Sequence, residues 1–143
     1  MFATLTEAQR KRVEGALDTV PYAKLLGIQL EDVVEGRSVL TMRVRADLKQ
    51  NHGVVHGGAI ASLIDSAMAF AIIPLLADNE RTTTVDLTIH YLRPLTEGVA
   101  KSSARVVRAG RRVIVVAAEV LDHNEKLVAT AVSTYLRLTP DAD

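Results

Sequence analysis

The 143-residue sequence has no cysteine and no tryptophan, and only two phenylalanines and three tyrosines. Without cysteine there is no disulfide bond, no thiolate zinc site and no cysteine nucleophile. With so few aromatic side chains, a folded core has to be aliphatic. The 17 basic and 17 acidic residues cancel, whereas a dedicated nucleic-acid-binding protein usually carries a basic excess. We therefore expect no nucleic-acid partner.

The sequence gives little support for a secreted or membrane protein. It starts without a basic leader followed by an apolar run, so we predict no signal peptide and a cytoplasmic location. Residues 57–77 are apolar and close in length to a membrane span of about 20 residues. Asp65 near their middle would cost roughly 2.5–3.5 kcal/mol on insertion, and Pro74 weakens the case further. We interpret the run as a helix buried within one domain that spans residues 1–143.

The hydropathy pattern predicts the order helix, two strands, long apolar helix and four strands. Thr4 and Glu7 match a capping box for a first helix that extends to about Val20. A short second helical turn is expected from Pro21 to Gly27. The strands are expected to start at Ile28 and to occupy Ser38–Arg45, Thr84–Tyr91, Ala100–Val107, Val113–Leu121 and Leu127–Leu138.

Alternating polarity assigns the faces of two of these strands. Leu40, Met42 and Val44 are expected on one face of the second strand. In the third strand, Thr84, Asp86, Thr88 and His90 are expected to face away from Val85, Leu87, Ile89 and Tyr91. A nearly all-apolar helix beside about six hairpin-connected strands indicates an α+β fold, with a curved, mainly antiparallel sheet wrapped around the helix. Its exposed edge strands favour pairing in a dimer.

Asp65 is the first candidate for chemistry, because it lies two turns inside the apolar helix, where an unpaired carboxylate is costly. Ser62, Ser66 and Ala69 lie near it at helical spacings and form a narrow stripe of polar or small side chains. Asp65 is therefore either a functional carboxylate or a structural one that accepts from a neighbouring backbone amide.

His56, Gly57 and Gly58 mark the start of the same helix. Glycines there allow a ligand to approach the backbone, and the free N–H groups and the helix dipole favour a negative oxygen. This is the chemistry of an oxyanion hole. The alternative is a turn whose glycines only relieve strain.

Two further groups of polar residues have weaker signals. A side-chain amide at Gln50 or Asn51 can hold a water or polarise a carbonyl, although Asn51-His52-Gly53 also suits an ordinary turn. His52 and His56 are four residues apart but lie in an expected loop, so we predict no metal site. Around Gly110, three arginines can hold phosphates or can form a solvated hairpin tip, namely Arg108, Arg111 and Arg112.

At this point the sequence resembles the hotdog-fold acyl-CoA thioesterases, in the phenylacetate-degradation-type subgroup. The resemblance covers nearly the whole chain after the first helix. It lies in Leu26-Gly27-Ile28, in Gly53-x-x-His56-Gly57-Gly58 with Asp65 nine residues after the histidine, in Thr84–Pro94, in Gly98 and in Arg108-x-Gly110-Arg111. The order and spacing of these motifs together are fairly specific.

The resemblance implies a homo-oligomer, either a dimer or a dimer of dimers, with each active site at the dimer interface. It implies that Asp65 acts as a general base or as a nucleophile, that the Gly57 N–H polarises the thioester carbonyl, and that Thr84 helps to place the carboxylate. Gln50, or Asn51 if the loop shifts by one residue, matches the family's site amide, and His56 supports the loop. Several relatives have Glu where this chain has Asp65.

The resulting hypothesis is hydrolysis of an acyl-CoA, with a medium-chain or aromatic acyl group, to free acid and CoA. No cofactor or metal is needed, because coenzyme A arrives as part of the substrate. Candidate contacts for the acyl group and the CoA phosphates, besides Asn51, are Gly58, Ser62, Ser66, Ala69, Phe70, Arg108, Gly110, Arg111 and Arg112. The alternatives are a hydratase or dehydratase of acyl-thioesters, a non-catalytic acyl-CoA sensor on the same fold and a purely structural oligomerisation module.

Overall fold

In the computed structural model, which describes residues 5–139, a six-stranded antiparallel sheet wraps around one long helix. The elements are α1 (Glu7–Asp18), α2 (Pro21–Leu26), β1 (Ile28–Val34), β2 (Arg37–Arg43), α3 (Gly57–Ile72), β3 (Arg81–Tyr91), β4 (Val99–Ala109), β5 (Val113–Leu121) and β6 (Leu127–Leu138). The strand order is β1-β2-β4-β5-β6-β3, and every neighbouring pair is antiparallel. The predicted α+β hotdog class is confirmed.

The capping box of α1 lies two residues later than predicted. The Thr6 hydroxyl accepts from the Gln9 N–H at 3.2 Å, and the Gln9 side chain accepts from the Thr6 N–H at 2.7 Å. Glu7 is therefore the first helical residue and not the capping partner, while Thr4 lies outside the described residues. The Gln9 amide also donates to the Pro74 carbonyl at 3.0 Å. This long-range contact favours the later of two overlapping capping patterns, and the sequence alone does not show it.

The core is aliphatic, as the composition requires. Leu40 and Met42 of β2 are fully buried, and so are Ile114, Val116 and Val120 of the central strand β5. The residues between them face outward, away from α3. Within the described range, one segment is long and apolar enough to cross a membrane, and it is the core helix with its last turn, Gly57–Leu75. Just over half of it is buried by the rest of the chain, which agrees with its interpretation as a core helix.

β3 contains a bulge between Thr84 and Asp86. Val85 is the additional residue, and its side chain is 60% exposed. The Asp86 carboxylate accepts from the Thr134 N–H of β6 at 3.0 Å, and the Ser133 hydroxyl donates to the Asp86 carbonyl at 2.5 Å. These two bonds occupy backbone groups beside the bulge, where the regular ladder is interrupted.

The bulge corrects the predicted alternation of β3. Because one extra residue is inserted, Thr84 faces α3 on the same side of the sheet as Tyr91, and both side chains donate to α3. Leu87 and Ile89 lie between them and pack against the core. A regular strand would have directed Thr84 away from the helix.

Candidate active site

Asp65 lies on the partly exposed side of α3, and two hydroxyl groups hold its carboxylate. Thr84 Oγ1 on β3 donates to Asp65 Oδ1 at 2.9 Å, and Tyr135 Oη on β6 donates to the same oxygen at 2.6 Å. Within residues 5–139, no hydrogen bond or ion pair is made by Asp65 Oδ2. The carboxylate is thus held through one oxygen, and the other remains available to a water or a substrate.

Tyr135 is a functional candidate that the sequence analysis missed. Its side chain is 2% exposed, and its hydroxyl contacts both the Asp65 carboxylate and, at 3.0 Å, the Asp65 carbonyl oxygen. Burial, together with the negative charge of Asp65, raises the pKa of the Tyr135 phenol above its ordinary value. The signal in the sequence is a tyrosine at an alternate position of the last strand, in line with Ala129 and Ala131, because a buried tyrosine hydroxyl usually needs a partner.

The start of α3 has one free backbone donor among its first residues. His56 is the N-cap, and its Nδ1 accepts from the Gly58 N–H at 2.8 Å. Its carbonyl accepts from the Ala59 and Ile60 N–H groups. The Gly57 N–H has no acceptor in the described part of the chain. The cap therefore leaves Gly57 as the donor for an incoming oxygen.

Tyr91 holds the other side of this helix start. Its hydroxyl donates to the Gly57 carbonyl at 2.9 Å. A Cβ at Gly57 would lie 3.3 Å from the Tyr91 ring, so the close approach of the ring favours glycine there. A surface hollow of about 320 Å³ lies beside Gly57 and Tyr91, with Val54, Ile60 and Leu92 in its walls. It gives an extended ligand access to the Gly57 backbone.

The Asp65 carboxylate and the Gly57 N–H of one chain are far apart. They are separated by eight residues of the same helix, about 12 Å along its axis at 1.5 Å per residue. A single carbonyl group needs both the attacking water and the oxyanion donor within roughly 3 Å. The two groups of one chain therefore cannot act on the same carbonyl.

The stripe of small and polar residues on α3 is present as predicted. Gly58 is exposed, and Ser62, Ser66 and Ala69 are partly exposed beside Asp65. Ser62 donates to the Gly58 carbonyl and shares a hydrogen bond with the Tyr22 hydroxyl. Phe70 is different from the prediction, because it is 5% exposed and belongs to the core on the opposite side of the helix.

The predicted site amides lie in an exposed turn before α3. Gln50 closes this turn through its backbone, since its N–H donates to the Val54 carbonyl and its carbonyl accepts from the Gly53 N–H. The side chains of Gln50 and Asn51 are exposed and make no hydrogen bond in the described chain. The structure therefore does not bring either amide to Asp65 within one chain, and their role stays a prediction.

The arginine turn, defined as residues 108–112, joins β4 to β5. Arg108, Arg111 and Arg112 are exposed. Arg137 fixes the turn, because its guanidinium donates to the Gly110 carbonyl at 3.0 Å and pairs with Glu80 at 3.1 Å. A hydrogen bond from the Ala77 N–H, with the Arg137 charge, lowers the pKa of Glu80.

The arginine turn lies at the same end of the sheet as the Asp65 carboxylate. Ile114, Tyr135 and Thr84 form one row across β5, β6 and β3. Arg112 precedes Ile114 by two residues, so it lies about 7 Å beyond that row at 3.3 Å per residue. Ala109 pairs with Ile114 in the row, and Arg108 pairs with Val115, one residue to the other side of it.

The two histidines near the start of α3 do not belong to a cluster of potential metal ligands in the described range. His52 and His56 lie in an exposed turn and at the helix cap, and no group of three or more histidine or acidic side chains comes together in residues 5–139. His56 Nδ1 is already occupied as the helix cap.

Comparison with known proteins gives the family. The thioesterase superfamily matches residues 52–129. The acyl-coenzyme A thioesterase PaaI of Escherichia coli is 33% identical, with 75% of each chain covered. The medium/long-chain acyl-CoA thioesterase YigI of Escherichia coli is 26% identical, with 95% of this chain and 99% of YigI covered.

A solved structure agrees with this assignment. The PaaI protein from the phenylacetic acid degradation operon of Escherichia coli superimposes with a TM-score of 0.86 at 28% identity, covering 94% of this chain and 96% of that one. The matched segment begins before α3 and includes Gly57, Asp65 and Thr84. It therefore contains both the carboxylate and the free backbone donor of the candidate site. With its hotdog fold, the chain belongs to the thioesterase superfamily.

Proposed function

We propose that this protein hydrolyses the thioester of an acyl-CoA to free acid and CoA. The observation that carries the proposal is the Asp65 carboxylate, fixed through Oδ1 by Thr84 and Tyr135 with Oδ2 free. A thioester needs an activated water and a donor for its oxygen. Asp65 and the unpaired Gly57 N–H supply these two groups without a metal or cofactor.

The proposed reaction uses Asp65 as a general base. Oδ2 takes a proton from water while the water oxygen bonds to the thioester carbon, and the carbonyl oxygen becomes an oxyanion held by a Gly57 N–H. When this intermediate collapses, the carbon–sulfur bond breaks, and the leaving thiolate takes up the proton. Direct attack of Oδ2 on the carbon, with cleavage of the carbon–sulfur bond and release of the CoA thiolate, would form an anhydride from the same groups. Addition of water to that anhydride would release the free acid and restore the Asp65 carboxylate, and the proton lost by the water would go to the thiolate.

We propose that each active site combines Asp65 of one copy with Gly57 of a second copy. The reason is the separation of about 12 Å along α3, which no single carbonyl can bridge. β3 is an edge strand, and its two ends contact the two groups, since Thr84 donates to Asp65 and Tyr91 donates to Gly57. Antiparallel pairing of two β3 strands brings the Asp65 end of one copy to the Gly57 end of the other.

The bulge gives Thr84 and Tyr91 equal distances along β3 from Thr88. Counting Val85 and Asp86 as one ladder position, Thr84 and Tyr91 lie three positions on either side of Thr88. A dimer axis at Thr88 therefore places Thr84 opposite Tyr91 of the second copy, with both side chains on the α3 face of the sheet. Side chains opposite each other in an antiparallel pair point to the same face, as this register requires.

The proposed substrate contacts follow from this arrangement. The acyl group would lie along the α3 stripe of Ser62, Ser66 and Ala69, and the CoA phosphates would meet the arginine turn. The names of PaaI and YigI indicate acyl-CoA substrates for those proteins, with medium or long chains for YigI. For this chain we propose a medium-chain or aromatic acyl group, and a cytoplasmic enzyme.

A dimer of dimers has a candidate surface on the other face of the sheet. A hollow of about 500 Å³ lies there, with Val39, Ser103, Ala117 and Val132 among its lining residues. Val132 is 53% exposed in the single chain. A second dimer packed on this face would cover these side chains.

The test is release of free thiol from a panel of acyl-CoAs with short, medium, long and aromatic acyl groups. We expect the wild-type protein to rank the substrates and Asp65→Asn to lower kcat by roughly 1,000-fold or more with the fold retained, since it removes the base. Short acyl-thiol analogues without the nucleotide should show a higher KM, if the arginine turn binds phosphates. Full activity of Asp65→Asn would contradict the assignment, and binding without release would favour the sensor.

A further inference from the structure

We infer that Tyr135 is a positioning residue that fixes Asp65 for catalysis, directing Oδ2 at the reacting water. This inference rests on the proposed function. It assigns a role to a side chain on the last strand, distant in sequence from the motifs that carry the family resemblance. It also explains why a phenol hydroxyl is buried in an aliphatic core. Tyr135 acts through Asp65 and does not touch the substrate.

The geometry separates the two oxygens of the carboxylate. Thr84 and Tyr135 both donate to Oδ1, and the Tyr135 hydroxyl also contacts the Asp65 carbonyl oxygen at 3.0 Å. The phenol therefore bridges the side chain and the main chain of the same residue. Rotation of the carboxylate would break this bridge, so Oδ2 keeps its outward direction.

The two donors differ in their exposure to water. Thr84 is exposed, so water can compete for its hydrogen bond, whereas Tyr135 is 2% exposed and Ile114 and Thr84 flank it across the sheet. When a buried donor to a charged group is removed, its hydrogen bond is lost outright, because water cannot easily take the donor's place. Tyr135 should therefore contribute more to the position of Asp65 than its neighbour does.

The protonation state of Tyr135 suits this role. Burial and the Asp65 charge raise the pKa of its phenol, so the hydroxyl stays a donor throughout the range in which an esterase is assayed. Tyr135 on β6 is the titratable side chain in contact with Asp65, while Thr84 on β3 does not titrate. None of the ion pairs of residues 5–139 includes Asp65.

The test is Tyr135→Phe, which removes one hydroxyl and keeps the ring. We expect kcat to fall roughly 10- to 100-fold, the usual effect of losing a hydrogen bond to a charged group, with KM nearly unchanged. In an Asp65→Asn background, adding Tyr135→Phe should change the rate by less than about twofold.

Ser102→Ala is the matched control, since Ser102 is fully buried on another strand and its hydroxyl has no hydrogen-bond partner among residues 5–139. We expect it to keep both fold and activity. An unchanged kcat in Tyr135→Phe, or a rise in KM alone, would refute the positioning role. Failure of Tyr135→Phe to fold beside a folded Ser102→Ala would make the phenol structural and would refute it as well. If the wild-type protein released no thiol, the proposed function would fail and this inference with it.

Discussion

The two edge strands of the sheet differ in a way that bears on function. β1 has seven residues, includes the exposed acidic pair Glu31 and Asp32, and is tied to β4 by a Lys101–Glu31 ion pair at 3.0 Å. β3 has eleven residues, four of them threonines, and most of its side chains are exposed. Charged side chains and short length protect an edge from pairing. β3 is longer, and its charged side chains, Arg81 and Asp86, are not adjacent, so its second half from Leu87 is open to pairing.

This difference indicates which edge meets a second copy. Both strands contain a bulge, at Leu30/Asp32 in β1 and at Thr84/Asp86 in β3. The β1 bulge interrupts a protected edge, whereas the β3 bulge directs Thr84 at Asp65. A bulge thus adds to the protection of the β1 edge, whereas in β3 a bulge positions a residue of the candidate site.

The substitution expected to have the largest effect on dimerisation and activity is a charge at the proposed dimer axis. Thr88→Lys would place two lysines opposite each other in the β3 pair, and like charges in that position destabilise a sheet. We expect a monomer in light scattering, with activity lower by roughly 100-fold or more because each site loses the group from the second copy. Gln29→Lys on β1 is the matched control and should change neither quantity.

A dimeric, fully active Thr88→Lys protein would contradict pairing through β3. Loss of the dimer in Gln29→Lys would instead place the interface at the other edge. Either result would remove the reason for assigning the dimer interface to β3 rather than to β1.

A smaller loss of activity is expected when the hydrogen bonding at the β3 bulge is weakened. Asp86→Ala removes the acceptor of the Thr134 N–H, so the bulge is less well defined and Thr84 is less well aimed at Asp65. We expect kcat to fall roughly tenfold, with the dimer retained. Asp32→Ala at the β1 bulge should leave kcat unchanged. Equal effects of the two substitutions on kcat would show that the β3 bulge has no special role.

Most of the fold could be predicted from the sequence, since periodicity and turn residues gave the order of elements. The bounds of β5 and β6 agree with prediction, and Gly27 ends α2 with a positive φ of 72°. The faces of β3 could not be predicted, because a bulge depends on backbone groups of β6 that are distant in sequence. The predicted position of the capping box of α1 was wrong for a similar reason, since the Gln9–Pro74 contact decides between two local patterns.

The candidate site was predictable in part. Asp65 and Gly57 stand out, because a carboxylate and paired glycines are unusual in an apolar helix. Tyr135 does not stand out in the sequence, since a tyrosine in an alternating strand looks like any other core residue until the partner of its hydroxyl is known. The helical separation of Asp65 and Gly57 was already implied by their spacing, and it becomes informative once α3 is known to be continuous between them.

The central claim is that one site uses Asp65 of one chain and the Gly57 N–H of another. Gly57→Pro removes that N–H, and proline suits the first position of a helix, with His56 at ψ 135° before it. Its Cβ would lie 3.3 Å from the exposed Tyr91 ring, which has to shift slightly to accept it. Gly57→Pro and Asp65→Asn should each be nearly inactive alone. Unfolding and refolding them together should pair chains at random.

Half of the dimers in the refolded mixture would be mixed, and each mixed dimer would contain one intact site. The account therefore predicts recovery of roughly a quarter of the wild-type activity. No recovery above the separate variants, with both chains folded and mixed dimers present, would contradict it, because both groups would then have to come from the same chain.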